Sequence, residues 1–146
     1  TREVLAWLRR NQIIITLLTS RHRDNVTAML DKLDLPGLAV VSTKFDTPYR
    51  KPDKRVFYYT LQELSDRFKI EQSQIVFVGD TPADVDAGTA AQIETVLVQT
   101  GPYLLKHAEA LPLSLANILN SIDDLPGWIE EHHEIGPCEA QLCPYD

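Results

Sequence analysis

Apolar and polar residues follow two different periods along the chain, and together these periods predict an α/β fold. Short apolar runs, rich in β-branched side chains, indicate buried strands at 13–18, 38–41, 75–78 and 95–99, with a last short strand or turn at 118–122. Apolar residues at helical spacing predict helices near 4–10, 25–33, 52–68, 82–91, 104–110 and 125–131. Strands that alternate with helices form a parallel sheet through right-handed crossovers. The pattern therefore predicts a Rossmann-like fold of three layers, α/β/α.

The length of the chain is that of one domain. It has 146 residues, of which 44% are hydrophobic, an ordinary fraction for a globular protein. The pairs at 36–37 and 101–102 combine Pro and Gly and predict turns. We assign residues 1–134 to the core. Residues 135–146 hold two prolines and two cysteines without periodicity, so we expect an irregular tail there.

Charge and cysteine content exclude several classes of protein. The net charge of −7 argues against a nucleic-acid partner and against an anionic membrane surface. No apolar run approaches the ~18 residues of a membrane-spanning helix, and the first residues lack the apolar stretch of a signal peptide. Two cysteines near the end make no disulfide framework. We therefore expect a cytoplasmic protein.

One stretch in the middle of the chain is the strongest candidate for chemistry. The apolar strand at 75–78 is followed by Gly79, which would let the backbone turn sharply, and then by Asp80. Open α/β sheets bind their ligands at this carboxyl end of the strands. Asp84 follows at the start of the next helix, and two neighbouring carboxylates favour a bound cation. Oxygen ligands suit Mg²⁺, so Asp80 and Asp84 are predicted metal ligands.

The same stretch also has the pattern of a capping box, which requires no ligand. Thr81 would be the N-cap, Pro82 the first helical residue, and Asp84 the acid that reaches back to the N-cap amide. This alternative explains these three residues but leaves Asp80 without a local partner. Both interpretations stay open from these residues alone.

Two further groups are predicted to lie on the same edge of the sheet as Asp80. Thr19 and Ser20 follow the first predicted strand and offer hydroxyl groups, while Lys51 offers a positive charge just before a helix. A hydroxyl, an ammonium and a metal suit a transferring phosphoryl group, whose catalysis consists largely of positioning and charge neutralisation. Alternatively, Thr19 and Ser20 only end a strand, and Lys51 is solvated within the basic run at 50–55.

Two other polar groups carry weaker signals. The Arg-His-Arg loop at 21–23 is interpreted as solvated, with substrate contact as the alternative. His132 and His133 could be combined with Cys138 and Cys143 into a zinc site, but their spacing matches no usual zinc pattern.

Three segments resemble motifs of the haloacid-dehalogenase-like superfamily of hydrolases: Leu17-Leu18-Thr19-Ser20, Lys51-Pro52-Asp53-Lys54-Arg55-Val56-Phe57 and Gly79-Asp80-Thr81-Pro82-Ala83-Asp84. The resemblance covers roughly residues 1 to 130. The segment at 51–57 matches the family's usual Lys-Pro-x-Pro-x-x-Phe form, except that Lys54 replaces the second proline. The resemblance implies that Thr19 or Ser20 holds a phosphate oxygen and that Lys51 steadies the nucleophile and the phosphate. It also implies that the acidic pair of the last segment binds Mg²⁺.

The superfamily's first motif, Asp-x-Asp on an N-terminal strand, has no counterpart near the start of this sequence. In the family that strand lies at the centre of the sheet, between the strands predicted here at 13–18 and 75–78. Its two aspartates are the nucleophile and the general acid/base. We therefore expect a sheet without its central strand, in which the two neighbouring strands either face a gap or collapse onto each other. An open gap predicts a marginally stable chain, unless the missing N-terminal segment, a strand of a partner chain or the collapse of the two strands fills it.

The resemblance implies a Mg²⁺-dependent phosphatase of small phosphorylated metabolites that works through an aspartyl-phosphate intermediate, similar to phosphoglycolate phosphatases. Within the same superfamily, a phosphomutase or a dehalogenase is an alternative, although dehalogenases need no Mg²⁺ and the acidic pair argues against them. A non-catalytic binding module with the same fold is an alternative from a different class. A response-regulator receiver is disfavoured, since the stretch from Gly79 to Gly88 does not have its acidic pattern.

Overall fold

The computed structural model describes residues 2–33, 38–99, 113 and 117–133. Its α-helices are α1 (Arg2–Arg10), α2 (Arg23–Leu33), α3 (Tyr58–Phe68), α4 (Pro82–Ala90) and α5 (Leu125–His132). Its strands are β1 (Thr16–Leu18), β2 (Val40–Ser42), β3 (Val76–Gly79), β4 (Glu94–Val98) and β5 (Ile118–Leu119). Short 3₁₀ helices span Lys54–Phe57, Gln72–Gln74 and Ile122–Asp124. The turns predicted at 36–37 and 101–102, the helix predicted at 104–110 and the tail at 135–146 lie outside the described residues.

The predicted strands are present, but their hydrogen-bonded parts are shorter or shifted. β1 begins at Thr16 rather than at residue 13, and Ile13 and Ile15 enter it as extended chain that packs on the core. The Ile15 carbonyl accepts a hydrogen bond of 2.9 Å from the Ala39 amide, which aligns the two segments before the ladder begins. An apolar run thus marks the buried segment, whereas the strand itself extends only as far as its partner.

The helix predicted from residue 52 begins differently. Asp53 is the N-cap of a 3₁₀ helix, and its carboxylate accepts a 2.9 Å hydrogen bond from the Arg55 amide. The α-helix α3 begins only at Tyr58. The Lys51–Pro52 peptide bond just before this cap is cis. The 3₁₀ helix, which is tighter than an α-helix, brings Val56 and Phe57 into the core, where both are buried.

The strands form two parallel sheets, and the two neighbours of the expected central strand do not pair. β1 pairs with β2, placing Leu17 opposite Val41, while β3, β4 and β5 pair in that order. Among the residues that the structure describes, no ladder joins β1 to β3. The side chains of Leu18 and Phe77 nevertheless belong to one apolar cluster and line one cavity. Of the two expected arrangements, the gap is the one found.

Alternate residues of β3 pack on opposite faces and produce the three predicted layers. Val76 and Val78 contact the core beneath α1 and α5. Phe77 packs on the other face, where its ring meets that of Phe57 edge-on with centroids 4.9 Å apart. Burial of apolar side chains on both faces is what a parallel sheet requires.

Candidate functional site

The carboxyl ends of β1 and β3 open onto a cavity of about 340 Å³ that contains three of the predicted site residues. Lys51, Asp80 and Asp84 all line it, together with Leu18 at the end of β1. The sequence predicts that Lys51 and Asp80 lie on the same edge of the sheet. The structure places both of them at this cavity. The roles of these residues stay predictions.

Lys51 and Asp84 form a close ion pair at the wall of this cavity. The Lys51 Nζ lies 2.5 Å from Asp84 Oδ1, and the side chains are only 26% and 4% exposed. Burial by itself raises the pKa of the Asp84 carboxyl. The hydrogen bonds from Lys51 and from the backbone outweigh this effect, so that the pKa lies below its ordinary value of 3.8. The solvated alternative for Lys51 is therefore wrong, because this ammonium group is held in one place.

Asp84 also closes the capping box predicted from the sequence. Its Oδ2 accepts hydrogen bonds of 3.0 Å and 3.1 Å from the amides of Asp80 and Thr81. The Asp84 amide in turn donates to Thr81 Oγ1 at 3.2 Å. Both carboxylate oxygens of Asp84 are thus engaged, one with the helix cap and one with Lys51. Capping and the site are parts of one hydrogen-bond network.

Gly79 is required by packing rather than by a turn. The sequence suggests a sharp backbone turn at this residue, but no described glycine has a positive φ, so Gly79 adopts a conformation open to other residues. A Cβ added to Gly79 would instead lie 2.7 Å from Cγ and Oδ2 of Asp84. The absence of a side chain therefore allows Asp84 to reach the amide of Asp80 and the Lys51 ammonium.

Gly79→Ala is expected to lower the free energy of unfolding by about 1–3 kcal/mol, because the new methyl group overpacks against Asp84. Urea denaturation of the purified chain measures this loss. Gly127→Ala is the matched control, since nothing lies within 4 Å of its added Cβ in α5. This control should stabilise the chain by up to about 1 kcal/mol, as alanine does in helices. Equal effects of the two substitutions would contradict the packing role of Gly79.

Asp80 has a carboxylate available for a ligand. The sequence suggests that this group loses solvation at the strand end, but the side chain is exposed and makes no hydrogen bond or ion pair with any described residue. Its amide is fixed by Asp84, which holds the residue at the cavity mouth. The part of the chain that the structure describes contains no group of three or more His, Cys, Asp or Glu residues that could together hold a metal ion. Of the predicted metal pair, only Asp80 therefore has free oxygens.

Thr19 and Ser20 lie beside a second, smaller cavity of about 150 Å³, which also contains Lys51. The Thr19 amide donates to the Ser42 carbonyl at 3.0 Å, extending the ladder of β1 and β2. Thr19 Oγ1 accepts a hydrogen bond of 3.2 Å from the Arg21 amide, as expected where a strand ends. The hydroxyl proton of Thr19 stays available for donation to an anion.

A hydrogen-bond network that the sequence pattern did not reveal shapes the loop after β2. Asp46 Oδ2 accepts hydrogen bonds of 2.8 Å from both the amide and the hydroxyl of Thr43, and its Oδ1 lies 2.5 Å from the Arg23 guanidinium. All three residues of the loop at 21–23 are exposed, as the sequence predicts, although Arg23 pairs with Asp46 and the His22 ring meets Phe45 edge-on at 4.3 Å. A threonine three residues before an aspartate was the available signal, because an acid at that spacing can reach back to the threonine amide.

Only the two histidines of the zinc alternative lie within the described residues, since Cys138 and Cys143 lie outside them. His133 Nε2 is 2.9 Å from Glu94 Oε2, and the His132 ring stacks on Trp128.

No helix in the described part of the chain is long and apolar enough to cross a membrane.

Known proteins resemble this chain over most of its length. It is 29% identical to phosphoglycolate phosphatase from Pseudomonas savastanoi pv. phaseolicola over 139 residues, covering 92% of this chain and 48% of the relative. It is 29% identical to phosphoglycolate phosphatase 1 from Pseudomonas aeruginosa, covering 99% of this chain and 51% of the relative. The chain thus spans about half the length of these curated relatives.

Solved structures share the fold at lower identity. A hydrolase from Pseudomonas syringae superposes with a TM-score of 0.74 at 21% identity, covering 90% of this chain and 61% of the other. A beta-phosphoglucomutase from Clostridium difficile superposes with a TM-score of 0.68 at 18% identity, covering 88% and 52%. The α/β fold with parallel sheets is therefore confirmed. Residues 1–98 match the family described as haloacid dehalogenase-like hydrolase. The chain belongs to the haloacid dehalogenase-like hydrolase family.

Proposed function

We propose that this chain forms the phosphate-binding part of a phosphatase that acts on small phosphorylated metabolites. The observation that carries the proposal is the Lys51–Asp84 pair at the carboxyl ends of β1 and β3, with the free carboxylate of Asp80 beside it. A fixed ammonium group, a hydroxyl at Thr19 and a carboxylate that can take a cation are the groups that neutralise a transferring phosphoryl group. Phosphatase relatives and a family of hydrolases support the same function.

In the proposed reaction, a strand that carries a carboxylate occupies the space between β1 and β3. That carboxylate attacks phosphorus, the bond from phosphorus to the ester oxygen breaks, and the leaving alcohol takes a proton from a second carboxyl group. Water then hydrolyses the aspartyl phosphate and releases inorganic phosphate. Lys51 and Thr19 hold the phosphoryl oxygens throughout. Asp84 acts through Lys51 and through the Asp80 amide, and is therefore a positioning residue.

The residues present fit Mg²⁺, which takes one or two protein carboxylates and keeps several water molecules. Asp80 would hold it in this chain, because both oxygens of Asp84 already accept other hydrogen bonds. When bound, the ion neutralises the charge of the phosphate and of the attacking carboxylate. In this proposal Asp84 does not bind the metal, contrary to the prediction from the sequence, but holds Lys51 and the Asp80 amide in place.

For such an enzyme of small metabolites we propose a cytoplasmic location.

A phosphomutase is the second candidate, favoured by the structural likeness to a beta-phosphoglucomutase. Its acceptor would be a sugar hydroxyl instead of water, while Lys51, Thr19 and Asp80 would keep the same roles. The two candidates differ only in whether water or a sugar hydroxyl reacts with the aspartyl phosphate. Binding of phosphate to this chain is common to both.

Inorganic phosphate in the presence of Mg²⁺ is expected to bind the 146-residue chain at Lys51. Nuclear magnetic resonance titration should shift the amides of Thr19, Ser20, Lys51 and Asp80. Lys51→Gln should weaken binding about tenfold or more, since a charged hydrogen bond to the anion is lost. Asp80→Asn should remove the contribution of Mg²⁺ while leaving weak phosphate binding.

Lys32→Gln is the matched control for this titration. It removes one positive charge from the exposed face of α2 and should leave the affinity for phosphate unchanged. The amide spectrum of each variant establishes that the chain remains folded. Equal phosphate affinity in the wild type and in Lys51→Gln would contradict the proposed function.

A further inference from the structure

The turn after β1, at 19–23, is held at both of its ends by the last residue of β2 and the loop that follows it. At one end, the Thr19 amide donates a 3.0 Å hydrogen bond to the Ser42 carbonyl. At the other end, the Arg23 guanidinium at the start of α2 lies 2.5 Å from Asp46 Oδ1. The turn between these two contacts carries the hydroxyl groups that are predicted to contact phosphate.

The shape of the loop itself depends on Asp46. Its Oδ2 accepts hydrogen bonds of 2.8 Å from the amide and from the hydroxyl of Thr43. Thr43 is fully buried, and the Asp46 side chain is only 10% exposed. The next residue, Lys44, donates its amide to the Arg21 carbonyl at 3.3 Å, which is the middle of the turn. A single carboxylate therefore shapes the loop that holds the turn and also contacts the end of the turn directly.

The orientation of the Thr19 hydroxyl depends on the backbone of this turn. Thr19 Oγ1 accepts a 3.2 Å hydrogen bond from the Arg21 amide, while the Arg21 carbonyl is held by the loop. This bond occupies an acceptor position of the oxygen and leaves the hydroxyl proton for an anion. Since Thr19 lines the smaller cavity together with Lys51, the position of Arg21 decides how that proton is presented beside the ammonium group.

Charge attraction does not explain a carboxylate at this place. Asp46 is not among the described residues that line either cavity, so it does not itself contact a phosphate bound there. Its negative charge lies beside the turn and, taken alone, opposes the binding of an anion. A contribution of Asp46 to the site must therefore come from geometry, through the hydrogen bonds that it accepts.

We propose that Asp46 is a positioning residue that holds the Thr19 hydroxyl in the orientation in which it donates to a phosphoryl oxygen. The connection runs from Thr43 and Lys44 in the loop to the backbone of Arg21 in the turn. This inference rests on the proposed phosphatase function. A donor that is already oriented binds an anion without the entropic cost of ordering it.

Titration of the 146-residue chain with inorganic phosphate and Mg²⁺, followed by nuclear magnetic resonance, tests this role. Asp46→Ala should weaken phosphate binding about three- to tenfold, at most the loss of one hydrogen bond to a charged group. Removal of the negative charge alone would strengthen binding, so the sign of the change separates positioning from electrostatics. Asp46→Asn keeps an oxygen that can accept from the Thr43 amide and should weaken binding about two- to threefold. It decides the question if Asp46→Ala does not fold.

A double-mutant cycle with Thr19→Val tests whether Asp46 acts through that hydroxyl. Once the hydroxyl is absent, replacement of Asp46 should change the phosphate affinity by less than about twofold. A merely structural effect of Asp46 would instead lower the affinity equally in both backgrounds. The amide spectrum of each variant establishes that the chain remains folded.

Asp31→Ala is the matched control, because Asp31 is an exposed carboxylate of α2, and it should leave the phosphate affinity unchanged. An affinity that is unchanged or higher in the Asp46 variants would overturn the role of Asp46 and leave the proposed function intact. Equal losses with and without the Thr19 hydroxyl would overturn that role as well. Absence of any phosphate binding by the wild-type chain would overturn the proposed function and this inference together.

Discussion

Replacing Asp84 by alanine is expected to lower the free energy of unfolding by about 3–5 kcal/mol, a large share of the ~5–15 kcal/mol of a typical domain. The substitution leaves the largely buried ammonium group of Lys51 without its partner. It also removes the acceptor for the amides of Asp80 and Thr81 at the start of α4. Urea denaturation monitored by circular dichroism at pH 7 measures the loss.

A double-mutant cycle with Lys51→Met separates the ion pair from the helix cap. The double variant Asp84→Ala/Lys51→Met should recover part of the stability lost in Asp84→Ala, since it no longer buries an unpaired charge. Strict additivity of the two single substitutions would contradict the pairing.

The pKa of Asp84 is lower in the folded chain than its ordinary value of 3.8. Its stabilising contribution is therefore full above that pH and is lost as the pH falls through the folded-state value, so the deficit of Asp84→Ala should shrink in acid.

The 146-residue chain by itself is expected to turn over phosphate esters about 10⁶-fold more slowly than a family member that carries the nucleophile, a factor typical of nucleophile loss. Among the described lining residues of the two cavities, Asp80 and Asp84 are the only carboxylates, and Asp84 is fully engaged. Thr19 and Ser20 have no histidine beside them in either cavity to act as a base.

Release of inorganic phosphate from small esters in the presence of Mg²⁺ measures this deficit. An apolar strand that ends in Asp-x-Asp, fused before Thr1, should restore turnover if it fills the space between β1 and β3. The same fusion ending in Asn-x-Asn is the matched control and should stay inactive. Robust Mg²⁺-dependent turnover by the unfused chain that Thr19→Val or Ser20→Ala abolishes would show that a hydroxyl group is the nucleophile.

The order of helices and strands could be predicted from the sequence because it follows from local apolar patterns. The run ending at Val78 and the Thr81–Asp84 capping pattern both depend on residues within a few positions of each other. Strand ends were predicted less well. β1 is limited by the length of its partner β2, which lies more than twenty residues further along the chain, and no local pattern contains that information.

The same distinction between near and distant contacts applies to the candidate site. The shared sheet edge could be predicted, since carboxyl ends of parallel strands lie together. The partner of Lys51 could not, because Asp84 comes 33 residues later and both of its interpretations fitted the sequence. The shape of the smaller cavity depends on how the loop after β2 folds around Asp46, which accepts two hydrogen bonds from Thr43.

The apolar cluster beneath α1 and α5 has a consequence for the order in which the protein folds. Val4 and Leu8 of α1 pack with Leu125 and Trp128 of α5, so this part of the core joins the two ends of the described chain. Contacts of such large sequence separation form late, whereas β3, α4 and β4 are contiguous and can assemble early. During synthesis, α1 therefore leaves the ribosome long before its partner helix exists. The part of its apolar face that packs on α5 is covered only once that helix has formed.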